Sequence, residues 1–294
     1  MNSPQPFRLD QRALARAFDR ASASYDTHAR LQREVREELL SRLPFFKLTP
    51  HRVVDLGCGT GEGAAALRRQ FRRAETIAID LAPGMLAQAG RRSRPWRRFA
   101  RVCADAAALP LASGSVDLIF SSLMLQWCEQ PQAAFAEISR VLRPDGLLLF
   151  STLGPQTLDE LRGAWRVVDS LPHVSEFLDL PQLSVLLGGA GLAEPVLDTD
   201  QLVRHYPDAL ALMRELQGLG ARNAASARQR GLFGRSALRA MTAAYEALRT
   251  PAGVPATFEV IYGAAFGARP PAERPGNETL IPLSAIRPSR TGPP

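Results

Sequence analysis

Apolar residues recur at helical spacing over 12–21 and again over 31–43, and the pattern then changes at 53–56 to a run of Val and Leu interrupted only by Asp55. Residues three and four apart share one face of a helix, so the first two stretches predict amphipathic helices. The run that follows predicts a short strand buried on both faces, the kind found inside parallel sheets. Comparable runs at 75–80, 98–103, 115–121 and 147–152 predict four more strands, with helices over 62–71 and 132–142. Pro144-Asp145-Gly146 predicts the turn into the fifth strand. Strands alternating with helices predict an α/β fold whose sheet carries helices on both faces. Further on, helical patterns occupy 158–168 and 183–190, and strand patterns 196–205 and 257–266. Helices predicted over 208–219 and 236–248 fall between those last two strands, as a helical cap inserted at about 206–250. The expected organisation is an amino-terminal helical lid over 1–45, a main domain over 46–267 that carries the cap, and a tail over 268–294. The proline, arginine and glycine content of that tail predicts disorder.

At the end of the first predicted strand the chain reads Asp55-Leu56-Gly57-Cys58-Gly59-Thr60-Gly61-Glu62-Gly63. Glycines let the backbone bend and approach a ligand where a side chain would collide, as in strand-loop-helix sites for nucleotide-type ligands. A glycine triplet alone is a weak signal, and the acids that follow give it weight. Asp80 ends the second predicted strand, about 20 residues beyond the loop, where a carboxylate can accept two ribose hydroxyls. Asp105 follows the third, placed to accept from the exocyclic amine of an adenine. Taken singly, each acid is as well explained by capping a helix or turning a strand. Their order around one crevice points to a ligand.

An acid ahead of the glycines suits a ligand with an amino acid moiety and a sulfonium cation. The loop of a nicotinamide dehydrogenase instead presents helix N–H groups to a pyrophosphate. The pattern thus resembles the class I S-adenosylmethionine-dependent methyltransferases. That resemblance implies a Rossmann-like sheet and S-adenosylmethionine as cofactor. It also implies contacts from Asp55 and Gly57 at the methionine end, Asp80 at the ribose, and Asp105 with Ala106 at the adenine. Cys58, Gly59, Gly61, Leu81, Met85 and Ser122 complete the implied lining. Outside the core, Phe18-Asp19-Arg20-Ala21-Ser22-Ala23-Ser24-Tyr25-Asp26 and Leu31-Gln32-Arg33-Glu34-Val35 narrow the resemblance. So do Leu125-Gln126-Trp127-Cys128, Ser151-Thr152-Leu153, Leu212-Met213-Arg214-Glu215-Leu216 and Gly218-Leu219-Gly220-Ala221. From about 14 to 267 the chain is similar to the malonyl-acyl-carrier-protein O-methyltransferases of biotin synthesis, the BioC family. Many methyltransferases share the glycine loop, whereas the segments around Trp127 and Gly220 are more specific. The tail beyond Gly267 has no counterpart in that pattern.

The resemblance implies methyl transfer to the free carboxylate of a malonyl thioester on acyl carrier protein, or on coenzyme A, which primes a pimeloyl chain. A carboxyl group of ordinary pKa about 4 is ionised at pH 7, so no general base is needed and no catalytic dyad is expected. Alignment and exclusion of water then carry the rate. Tyr25 is placed to close over the sulfonium and orient the carboxylate, with a tyrosine that merely packs the lid as the ordinary alternative. Gln126 and Trp127 follow the fourth strand at the edge where open α/β sheets bind ligands. An arginine of the cap is expected to grip the carboxylate, Arg222 rather than Arg214. His173 is a candidate for the mouth, although an exposed loop position is the better reading of a histidine after Leu171-Pro172.

Composition agrees with a cytoplasmic enzyme. The start of the chain lacks a secretory h-region and no apolar run reaches the roughly 18 residues of a membrane span. Cys58, Cys103 and Cys128 are scattered and read as reduced, and the four histidines lack metal-ligand spacing, so no metal is expected. The net charge is +7 and Lys47 is the only lysine. The arginine pairs lack interleaved aromatics for base stacking, which makes nucleic acid an unlikely partner. An acidic carrier protein suits the charge better, with Arg228 and Arg230 as members of a docking patch. Methylation of another small molecule or of RNA, and a role as a methyltransferase-like assembly factor, stay open alternatives.

Overall fold

The computed structural model describes residues 10–93, 96, 98–220 and 234–268. Seven strands build one sheet: β1 (Arg52–Leu56), β2 (Glu75–Asp80), β3 (Ala100–Cys103), β4 (Val116–Ser122), β5 (Leu142–Leu153), β6 (Ala193–Tyr206) and β7 (Val254–Phe266). Their order is β3-β2-β1-β4-β5-β7-β6. The first five run parallel, while β7 lies antiparallel to both β5 and β6. The helices are α1 (Gln11–Ala21), α2 (Tyr25–His28), α3 (Arg30–Ser41), α4 (Glu62–Gln70), α5 (Pro83–Arg92), α6 (Pro131–Val141), α7 (Asp159–Arg166), α8 (Leu180–Gly189), α9 (Ala209–Gly218) and α10 (Arg235–Glu246).

Successive side chains of a strand point to opposite faces, and the core divides accordingly. Val53, Leu118, Phe120, Leu147 and Leu149 join Val35 and Leu39 of α3, Trp165 of α7, Leu212 of α9 and Tyr245 of α10. Val54, Leu56, Ile119, Leu148 and Phe150 face the other way, onto Phe135 and Ile138 of α6 and Leu183 and Leu187 of α8. The central strands are therefore apolar on both sides, which is why they read as runs and not as alternations. Among the described residues, no helix is long and apolar enough to cross a membrane.

Several boundaries differ from the sequence reading, and two of them have a visible cause. β5 begins at Leu142, because Pro144-Asp145-Gly146 forms a kink inside the strand. Asp145 takes φ +62° and donates to Gly267 O at 3.0 Å, and Gly267 returns a bond to Gly146 O at 2.8 Å, so pairing with the end of β7 carries the strand through the motif. α8 begins at Leu180, because Asp179 and Gln182 form a reciprocal capping box and Pro181 suits a first turn whose N–H groups lack helical partners. The sequence reading omitted α2 and α5; Pro83 opens α5 in the same manner as Pro181 opens α8. One arginine cluster has a structural account. Arg68 donates to the carbonyls of Phe71, Arg72 and Arg98, closing the carboxyl end of α4 where positive charge is favoured.

Candidate active site

The strand order reverses between β1 and β4, and ligands of open α/β sheets bind in the crevice at such a switch point. Here the crevice opens into two adjoining chambers. The first is lined by Gly57, Gly59, Asp80, Leu81, Met85, Asp105, Ala106 and Ser122, with Leu14 and Phe18 of α1 on its outer side. The second is lined by Gln126, Leu158, Leu161, His173, Phe177, Glu215 and Leu216. Phe18, Tyr25, Leu123 and Trp127 belong to both walls.

The glycine loop holds its shape through bonds to the neighbouring strand. The N–H groups of Gly57 and Cys58 both donate to Ile79 O, at 2.8 and 2.9 Å. Gly57, Gly59 and Gly61 all take positive φ, the region that favours glycine. A Cβ on Gly59 would meet no atom within 4 Å, so the loop leaves an open cradle there. Asp80 fixes the loop from the tip of β2: one carboxylate oxygen accepts from Gly59 N–H at 2.8 Å, the other from Ala82 N–H at 2.9 Å. Each oxygen keeps a lone pair for a ligand hydroxyl. Asp105 accepts from Ala107 N–H at 2.9 Å, a turn that sets it and Ala106 at the far end of the chamber.

Asp55 is buried, and its Oδ2 has no hydrogen-bond partner. Gly63 is needed beneath it, since a Cβ there would lie 2.7 Å from that oxygen. Burial, the largest cause, pushes the Asp55 carboxyl up to about 7, and the charge of Asp80 adds to it while Arg36 opposes it. An orphaned acid beside Arg36, Thr60 and Ser122 fits a zwitterionic amino acid group, with the acid facing its ammonium and the arginine its carboxylate. Because the folded value exceeds the ordinary 3.8, the ligand-free protein loses stability as pH rises from about 4 to about 7. If the ammonium selects the ionised acid, cofactor binding should tighten from pH 6 to 8, by up to about tenfold. Titration calorimetry in buffers of different ionisation enthalpy should register proton release near pH 7. A flat affinity across that window would detach Asp55 from the ammonium.

The outer wall is pinned to this loop by polar contacts. Thr60 donates to Asp26 Oδ1 at 2.7 Å, and Arg92 donates to Asp26 Oδ2 at 2.7 Å and to Glu62 at 3.0 Å. Arg36 pairs with the other oxygen of Glu62. Gly84 N–H donates to Asp19 of α1 at 2.5 Å. Tyr25 stands at the junction and lines both chambers as well as the recess beside Asp55. Burial, reinforced by the nearby Asp80 charge, holds its phenol well above the usual tyrosine range, so it is a neutral donor at working pH. Trp127 meets Phe18 edge-on at 5.4 Å, and its carbonyl accepts from Gln11 at 2.9 Å, which clips α1 over the first chamber.

In the second chamber Gln126 is held by both ends: its Nε2 donates to Leu123 O at 2.8 Å, and its Oε1 accepts from Thr152 at 3.3 Å. His173 is not the exposed loop residue that the sequence favoured. Its side chain is 7% accessible, bonded to Asp169 at 2.7 Å and stacked on Trp165 at 3.9 Å. Leu123 turns the chain off β4 with φ +50°, a conformation costing a leucine roughly 1 kcal/mol, and it is anchored by its N–H to Ser151 O at 3.0 Å. Cys128, near Met124, is a half-buried thiol raised by desolvation to about 12, and Cys58, which is buried, is raised as well. Among the described residues no cluster of three His, Cys, Asp or Glu could hold a metal ion. Arg222, Arg228 and Arg230 lie outside the described residues. Sequence reasoning missed Gln32, Arg36, Thr60, Asp26 and Leu123 as site residues. Gln32 and Arg36 had a signal, since they sit four apart beside the buried Leu31–Val35–Leu39 stripe of α3.

Sheet order, glycine loop and the three acids together define a Rossmann-like class I methyltransferase, for which S-adenosylmethionine is the cofactor. Residues 54–150 match a methyltransferase domain model. The chain belongs to the malonyl-acyl-carrier-protein O-methyltransferase family. It is 47% identical over 264 residues to the malonyl-acyl-carrier-protein O-methyltransferase of Methylovorus sp. strain MP688, covering 88% of this chain and 89% of that one. It is 46% identical over 279 residues to the same enzyme of Laribacter hongkongensis, covering 92% and 93%. Among solved structures, the YcgJ protein of Bacillus subtilis has a TM-score of 0.57 at 18% identity, over 80% of this chain and 99% of that one. A S-adenosylmethionine-dependent methyltransferase of Thermotoga maritima has a TM-score of 0.54 at 17% identity, over 86% and 99%. At that identity the two structures speak for the fold alone.

Proposed function

We propose that this protein methylates the free carboxylate of a malonyl group carried on acyl carrier protein, giving a methyl ester. The observation that carries the reading is the pair of chambers joined at Tyr25, Phe18, Leu123 and Trp127. S-adenosylmethionine supplies an activated methyl group on a sulfonium. Everything else asked of the protein is placement. Asp55 and Arg36 hold the methionyl zwitterion, Asp80 the ribose, and Asp105 with Ala106 the adenine, while Met85 and Leu81 pack against the nucleoside.

The acceptor carboxylate is already ionised, so the chain needs donors that orient it and walls that keep water out. Tyr25 supplies a neutral hydroxyl at the junction, and Trp127 closes the wall beside it. Gln126, braced by Leu123 and Thr152, shapes the floor of the acceptor chamber, and His173, held by Asp169, its far side. Arg222 is our choice, over Arg214, for a cap arginine on the second carboxylate oxygen. We further propose that the amino-terminal helices act as a lid, that α9 and α10 belong to the cap, and that Arg228 and Arg230 join a basic docking patch for the acidic carrier. A cytoplasmic setting suits three unpaired cysteines.

Intact-mass analysis of malonyl-carrier protein, incubated with the enzyme with and without S-adenosylmethionine, tests this directly. The malonyl form should gain one methyl and the acetyl form none. Absence of the gain, with cofactor bound, would move the acceptor to another molecule.

A further inference from the structure

Gln32 occupies a position that the chemistry above does not use. It lies on α3, one turn before Arg36, and lines both the acceptor chamber and the recess that holds Asp55. Besides Tyr25, it is the residue those two walls have in common. Its Oε1 is buried and has no hydrogen-bond partner. Rotating the amide to exchange oxygen and nitrogen only transfers the deficit to the NH2 group, so one end of the side chain is orphaned either way. An orphaned polar group in a buried place has a cost that a ligand can remove.

The charges around it decide which ligand groups complete it. On the recess side stands the ammonium site of Asp55. On the acceptor side, the described lining contains neither lysine nor arginine, and its one carboxylate, Glu215, accepts from Tyr206 at 2.9 Å. A nucleophilic carboxylate beside a sulfonium is best oriented by neutral donors. A cation on the attacking oxygen would weaken the nucleophile, so a neutral donor suits that oxygen and the cap arginine is left the second one.

We propose that Gln32 is a positioning residue that bridges the two ligands, with its Nε2 donating to the acceptor carboxylate and its Oε1 accepting from the methionyl ammonium. The assignment rests on the malonyl-transfer reading for its acceptor half and on the cofactor alone for its other half. A bridge of this kind aligns the two reactants through one rigid amide, and it selects acceptors that present a carboxylate.

Two variants separate the halves, with full-length protein, S-adenosylmethionine binding by calorimetry, kcat and KM with malonyl-carrier protein, and thermal melting. Gln32→Glu keeps the shape but sets a negative charge against the acceptor. KM should rise roughly ten- to a hundredfold while cofactor affinity holds or tightens. Gln32→Met keeps the volume without polar atoms. Cofactor affinity should fall by about tenfold and KM should rise, with a melting temperature at or above the parent's because an orphaned group is gone. A KM for Gln32→Glu within about twofold of the parent would overturn the proposal, as would indistinguishable constants for the two variants. If Gln32→Met unfolds early, the amide is structural and the proposal again fails. A parent protein inactive on malonyl-carrier protein would sink the acceptor reading instead, and the cofactor affinity of Gln32→Met would still decide the other half.

Discussion

Replacing Asp80 with alanine should weaken S-adenosylmethionine binding by a factor of roughly a hundred to ten thousand, the largest functional loss we expect from any single carboxylate. The reasoning starts from its two oxygens. Each already accepts one backbone N–H, from Gly59 at 2.8 Å and from Ala82 at 2.9 Å. Each then has a lone pair directed at the chamber, suited to one of the two ribose hydroxyls. Hydrogen bonds to a charged acceptor contribute about 1.5–3 kcal/mol apiece, and two of them give the range above. The loop loses its tether in the same stroke. Asp80→Asn should fare little better, because its NH2 would confront one of two backbone donors. Calorimetric titration reads the affinity, and an Asp80→Asn protein that binds within about threefold of the parent would show that these oxygens face no ligand.

The second large effect comes from a pair of glycines two residues apart. Gly57→Ala should cost both fold and ligand. Its Cβ would lie 2.1 Å from Met124 Cγ and 2.4 Å from Met124 Cβ, at a backbone φ of +76°. The positive φ alone costs about 1–2 kcal/mol, and Met124 cannot retreat because it follows the anchored turn at Leu123. Gly59→Ala should behave differently. Its Cβ would meet nothing within 4 Å, so stability should fall only by the backbone cost of roughly 1 kcal/mol. Cofactor affinity should nevertheless drop by about a hundredfold or more, since the added methyl fills the cradle that the ligand occupies. Melting curves and binding isotherms on the two variants give a crossed pattern. Equal losses of affinity and melting temperature in both would refute the cradle. Met124→Gly in the Gly57→Ala background should restore part of the stability, leaving the φ cost behind.

The central sheet could be read from sequence because its strands are buried on both faces and so appear as runs bounded by acids and glycines. Glu75 to Asp80 is the clearest case, matched at both ends by β2. The acids of the cofactor chamber were legible for the same reason, as each sits at or just beyond a strand tip. Elements that depend on partners distant in the chain were not. β5 continues through a turn motif because Gly267 pairs with its bend, and nothing local announces that. Leu123 carries a left-handed backbone although leucine is no turn former, since Ser151 on the next strand fixes its N–H. Gln32 and Arg36 were marked only by lying four apart beside the buried stripe of α3, which does not tell a cavity wall from ordinary helix surface. Only the docking of α3 over the glycine loop turns that surface into the wall of a cavity.

Two kinds of contact hold this outer wall: the apolar packing of α3 and of Phe18 on Trp127, and a polar cluster at the glycine loop. Asp26, Arg92, Glu62, Arg36 and Thr60 are joined by ion pairs and a hydroxyl, and all but the buried Thr60 keep some access to solvent. Water and salt substitute for such bonds at little cost, whereas they cannot substitute for buried hydrocarbon. The seam between wall and loop is accordingly a latch and not a weld. The lid proposed above would part at these exchangeable charges, while the packed face of α3 and the sheet beneath it stay intact.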